Sequence, residues 1–173
     1  MKISSTSIEN GFFADRFGHR GTESIQGKMP SRSFQISWQD LPPNTRSLAL
    51  IFIDHDSIPV CGMPWIHWTV ANIDPALKEL PENASIEMNL LQGVNSWMSG
   101  LLPEEWKLSP ADATAFGGCA PPDKTHLYKV DVYALDTPLD LKPGFFENEL
   151  LNAMEGHILA QAELRGFYKA KHE

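Results

Sequence analysis

The chain is poor in cysteine, in positive charge and in long apolar runs. Cys61 and Cys119 are its only cysteines among 173 residues. That excludes a disulfide framework and fits a reducing compartment. Lys and Arg number 14 against 22 Asp and Glu, a formal net charge of −8. Nucleic-acid binding needs clustered cations to neutralise phosphates, so a nucleic-acid partner is not expected. Electrostatic docking on an anionic membrane is disfavoured for the same reason. No stretch reaches the roughly 18 apolar residues a membrane helix needs, so no integral membrane segment is expected. Residues 1–10 lack the apolar core of a signal peptide, and a cytoplasmic location is expected. The Gly-x-Ser-x-Gly elbow of serine hydrolases is also missing, as is the Gly-Lys-Ser/Thr of a phosphate loop.

Hydrophobic content of 42% and charged content of 21% are ordinary for a globular protein. The length predicts one domain, residues 1–173. Residues 1–32 read as a lead-in with at most one edge strand. Phe34, Ile36 and Trp38 alternate with polar residues, the period of a half-buried strand. Residues 47–53 form a near-continuous apolar run, the pattern of a central strand covered on both faces. A second strand is predicted over 65–73, with Trp65, His67 and Thr69 on one face and Ile66, Trp68 and Val70 on the other. A weak strand is predicted over 86–94. Residues 96–115 show no clear period, and a stretch that long is either functional or hides short elements. A third long strand is predicted over 126–135, with His126, Tyr128, Val130 and Val132 on one face. Leu150, Leu151, Met154, Ile158 and Leu159 form a helical stripe over 147–159. Period-two spacing from Ala160 onward reads as a closing strand. The sum is a predominantly β domain with one C-terminal helix.

Reactive side chains gather at strand ends. Asp54 and Asp56 follow the first long run, Trp65 and His67 open the second, and His126 and Tyr128 open the third. Two carboxylates flanking one residue can repel and raise one pKa, or can cap a turn through backbone N–H groups. A strand histidine is either a ligand group or a satisfied core residue. His126 and Tyr128, two apart on one face, can both donate to one oxyanion. Gly117-Gly118 and Pro121-Pro122 shape the loop before the third strand. Asp54, His55, Asp56, His67 and His126 are suitable ligand types, but their spacing matches no zinc signature. Neither a metal nor a cofactor is expected. Cys119 near His126 invites a thiol-nucleophile reading, but no base-orienting partner is evident.

At these residues the chain resembles the phosphatidylethanolamine-binding protein family, the Raf-kinase-inhibitor-like proteins, and most of all its bacterial branch. Seven blocks carry the resemblance in the family's order: 47–56, 65–73, 91–95, 117–122, 126–128, 133–136 and 154–160. The resemblance implies a central antiparallel sheet with Greek-key connections, a β-sandwich-like domain. It also implies a small pocket for phosphate or a phosphoryl headgroup, and for some relatives a kinase or other signalling partner. A homodimer is an expectation carried by bacterial relatives. Asp54, Trp65, His67, Pro122, His126 and Tyr128 match the family's pocket positions, and Asp56 matches the second Asp of its motif. The expected function is non-enzymatic anion binding. The alternative is an acid–base hydrolase of small phosphoesters or esters, with Asp54 or Asp56 as base.

Three departures stand out. His55 occupies the position of the family's proline. The loop reads Gly118-Cys119-Ala120-Pro121-Pro122, which predicts a looser rim. Residues 96–115 form a longer connection than usual, predicted to cover the pocket mouth or to build a dimer contact.

Overall fold

Antiparallel pairing of three long strands organises the molecule. The structure, a computed structural model, describes residues 1–173. Its twelve strands are β1 (Lys2–Ser4), β2 (Ile8–Glu9), β3 (Phe12–Phe13), β4 (Ser24–Ile25), β5 (Met29–Pro30), β6 (Ile36–Gln39), β7 (Ser47–Asp54), β8 (Trp65–Ile73), β9 (Glu79–Leu80), β10 (Leu91–Gln92), β11 (His126–Leu135) and β12 (Ile158–Tyr168). Three short helices join them: α1 (Ile58–Cys61), α2 (Ala84–Glu87) and α3 (Glu147–Met154). The main sheet runs β10-β8-β7-β11-β12-β3-β2, antiparallel except where β3 joins β12. Because β11 returns beside β7 rather than β8, the long connection is of the Greek-key kind. The result is the mainly β fold that the sequence predicts.

Every residue of β7 is buried, because both faces of the sheet are covered. On one face the small sheet β1-β6-β9 and the segment before β6 pack Phe34, Ile36 and Trp38 into one cluster with Leu50, Phe52, Tyr128 and Val130. On the other, Leu150 and Met154 of α3 cover Ala49, Ile51 and Ala71. A third cluster gathers Met29, Trp97, Leu108, Ala113 and Ala115. No helix is long and apolar enough to cross a membrane.

Several expectations need correction. The first 32 residues hold five short strands, not one, since β1 pairs with β6 and β3 pairs with β12. Over 86–94 the chain ends α2 and then forms only β10. The last helix stops at Met154, and Gly156, at φ 79°, turns the chain so that Ile158 and Leu159 already belong to β12. The alternation of β8 also breaks. Phe52 pairs with Trp68 and Ile53 with Ile66, so His67 is the extra residue of a β-bulge. Trp68 therefore joins the core on the side of Phe52, while Thr69 meets Gly93 and Phe145 on the opposite face.

Candidate functional site

The C-terminal end of β7 and the N-terminal ends of β8 and β11 meet at one edge of the sheet. Asp54 lies opposite Tyr128 on one side and Trp65 on the other. Around this junction is a cavity of about 220 Å³. Its floor carries Asp54, His67, His126 and Tyr128, its walls include Trp65, Trp97 and Leu102, and Val60, Cys61, Ala120 and Pro122 border it. The structure thus brings together Asp54, Trp65, His67, Pro122, His126 and Tyr128. It does not bring in Asp56, whose carboxylate accepts from the backbone N–H of Leu127 at 2.8 Å. That contact pins the start of β11, which is the turn-cap role available to an Asp in such a segment. His55 is exposed and also lies outside the cavity wall.

The two imidazoles of the floor are pushed toward opposite proton states. His126 is fully buried and places Nδ1 2.7 Å from Asp54 Oδ2 and Nε2 2.8 Å from Asp123 Oδ1. Both ring nitrogens then donate, so the ring is an imidazolium between two carboxylates. Burial by itself lowers its pKa, but the hydrogen bonds and charges of Asp54 and Asp123 outweigh that and raise it. His67 is the reverse. Burial lowers its pKa, and the attraction of Asp54 and the backbone bonds at Gly117 and Gly118 only partly offset it. Its Nδ1–H donates to the Gly117 carbonyl at 2.7 Å, which leaves the Nε2 lone pair of the neutral ring to the cavity.

Tyr128 completes the floor. Its hydroxyl oxygen accepts from Ala120 N–H at 3.2 Å, and its own proton has no protein acceptor. Burial, then the Cys119 and Asp54 charges, push its pKa well above the ordinary value, so the phenol stays a donor. The rings of His67 and Tyr128 lie 5.2 Å apart. Asp54 Oδ1 accepts from Ser57 N–H at 3.2 Å, so both of its oxygens already carry hydrogen bonds. Cys119 is buried and its thiol pKa is driven far up by desolvation, which makes it a packing residue and no nucleophile.

The loop bearing Pro122 is not loose. Gly117 N–H donates to His67 O at 2.8 Å, Gly118 N–H to Pro30 O at 2.8 Å, and Cys119 N–H to Phe17 O at 3.1 Å. His19 N–H in turn donates to Cys119 O at 2.8 Å. A Cβ on Gly118 would lie 2.7 Å from both Phe17 O and Pro30 Cβ. The glycine is needed because two segments press on the loop from the other side. Sequence reasoning missed Val60, Cys61, Trp97 and Leu102 as wall residues. Trp97 and Leu102 come from the long 96–115 connection, which does reach the mouth of the cavity.

The site is thus a buried polar floor at one sheet edge under an apolar wall. The family model for phosphatidylethanolamine-binding protein matches residues 4–169. An uncharacterized protein of Bacillus subtilis, YxkA, is 44% identical over 158 residues, 90% of this chain and 92% of that one. Among solved structures, a phosphatidylethanolamine-binding protein homolog from Chlamydia trachomatis superposes with a TM-score of 0.76 at 30% identity. That match covers 96% of this chain and 95% of the other. Escherichia coli YbcL gives 0.75 over 98% of both chains at 23% identity, a likeness of fold alone. The chain belongs to the phosphatidylethanolamine-binding protein family, a family of binding proteins.

Proposed function

We propose that the chain is one domain that binds a small anion, a phosphate or phosphoryl headgroup, in this cavity without catalysing its turnover. The observation that carries the reading is the pair of unused polar groups on the floor, the Nε2 of His67 and the hydroxyl proton of Tyr128. They sit on rings in edge contact and can grip one oxyanion from two directions. Asp54 and Asp123 are spent on His126, which disfavours Asp54 as a catalytic base. The hydrolase reading finds no thiol nucleophile, since Cys119 is buried with its pKa driven far up.

His67 must gain a proton at Nε2 to donate to the anion. Its pKa is lowered in the empty cavity, so binding and protonation are linked. Affinity for an anion therefore rises as pH falls, through a window that reaches below the ordinary histidine range because the pKa of the empty site is lowered. The test is imidazole NMR during titration with phosphate and phosphorylethanolamine. Both are expected to move the His67 signals and to raise the pKa of His67. Unmoved signals at millimolar ligand refute the reading.

A further inference from the structure

The charge and shape of the cavity say more about its ligand than that it is an anion. No Lys or Arg lines the cavity. Its floor holds one imidazolium against the Asp54 and Asp123 carboxylates, so it offers no net positive charge to a bare phosphate. Affinity beyond the hydrogen bonds of His67 and Tyr128 has to come from apolar contact. That contact is available: Trp65, Trp97, Leu102, Val60 and Pro122 line the cavity. Trp65 and Trp97 meet edge to face with centroids 6.3 Å apart.

The apolar wall is fixed in place. Trp97 N–H donates to Asn95 Oδ1 at 2.9 Å, and Leu108 N–H donates to Trp97 O at 3.0 Å. The Asn95 amide in turn donates to Ala115 O at 2.8 Å. A preformed wall costs a ligand little ordering entropy. Its size is limiting, however. At 220 Å³ the cavity falls below the roughly 300 Å³ at which drug-sized sites begin. An apolar cavity of about 150 Å³ takes up benzene in another, engineered protein. One ring and one acidic group therefore fill this cavity, and two acyl chains do not.

We propose, building on the anion reading, that the ligand is a phosphoryl monoester whose substituent is one compact apolar group of ring size. The phosphoryl oxygens meet His67 and Tyr128, and the substituent lies between Trp97, Leu102 and Trp65. The 96–115 connection is the specificity element, since it supplies two of those three contacts. A bare phosphate or an ethanolamine ester leaves this wall in water.

Titration of the full chain with phenyl phosphate, phosphorylethanolamine and inorganic phosphate at one pH tests this. Phenyl phosphate is expected to bind at least about tenfold tighter than either of the others, the gain from burying one ring. Leu102 is only half-buried, so Leu102→Ala keeps the fold. It is expected to cut the ratio of phenyl phosphate to inorganic phosphate affinity by about threefold or more. Trp97→Leu, which retains apolar bulk at a buried site, is expected to cut it as well. Equal affinities for the three probes, or a ratio unmoved by both variants, overturn the inference and leave the anion reading standing. If none of the probes moves the His67 signals, the anion reading fails and takes this inference with it.

Discussion

The floor and the rim of the cavity are built in different ways. The floor side chains Asp54, His67, His126 and Tyr128 stand on three long strands, and none is more than 3% exposed. The rim residues Val60, Cys61, Leu102 and Pro122 stand on a one-turn helix and loops, and Val60 is 47% exposed. Floor groups are locked by hydrogen bonds that also hold the fold together, as when His126 ties β11 to Asp54 of β7. Rim groups mostly offer apolar surface. The floor couples its polar groups to stability. The rim is largely free of that coupling.

The strongest attempt to break this comparison is at Asp54. Removing its carboxylate leaves a fully buried His126 with a single, exposed partner in Asp123. Breaking a buried ion pair in this way costs about 3–5 kcal/mol. Asp54→Ala is therefore expected to lower the unfolding free energy by about 3 kcal/mol in urea titration, with a smaller loss for Asp54→Asn, which still accepts from Ser57. The His126 pKa is expected to fall in both variants, because the first charge that raises it is gone. A loss under about 1 kcal/mol would mean that the floor is not part of the structural frame.

The loop that closes the floor gives the next largest effect. Gly118→Ala places a methyl carbon 2.7 Å from Phe17 O and from Pro30 Cβ, and neither can swing aside as a flexible side-chain tip can. Overpacking of this kind costs about 1–3 kcal/mol. A thermal melt is expected to shift down accordingly, and the distorted loop would weaken the Gly117 carbonyl's hold on His67.

How far the sequence revealed the site follows the same division. The limits of β8 and β11 agree with the residue pattern, and Asp54, Trp65, His67, His126 and Tyr128 were readable because strand ends present side chains in a fixed alternation. The bulge at His67 was not readable. It depends on how β8 pairs with β7, and no local period records a partner strand. Asp56 looked equivalent to Asp54 for a similar reason. Only the tertiary position of Leu127 shows that one carboxylate faces the cavity and the other the backbone. The tightness of the 117–122 loop was hidden too, since its partners Phe17 and Pro30 lie roughly ninety to a hundred residues earlier in the chain. Trp97 and Leu102 sit in a segment whose order comes from side-chain hydrogen bonds and turns, which carry no hydrophobic period.

The smallest expected effect sharpens the comparison from the other side. Gly100 lies in the rim connection, exposed, with open space where a Cβ would stand and no positive φ to strain a side chain. Gly100→Ala loses only unfolded-state entropy and is expected to stabilise the chain by about 0.4–1 kcal/mol. Val60→Ser removes apolar surface from a half-exposed site and is expected to change stability by no more than about 0.5 kcal/mol. The contrast between Gly118→Ala and Gly100→Ala is the informative measurement, because both add one methyl group to a glycine in a segment that supplies residues of the cavity wall. Opposite signs in chemical denaturation are expected. Equal losses would show that the rim is packed as tightly as the floor, and the freedom to change ligand at Trp97 and Leu102 would disappear with the distinction.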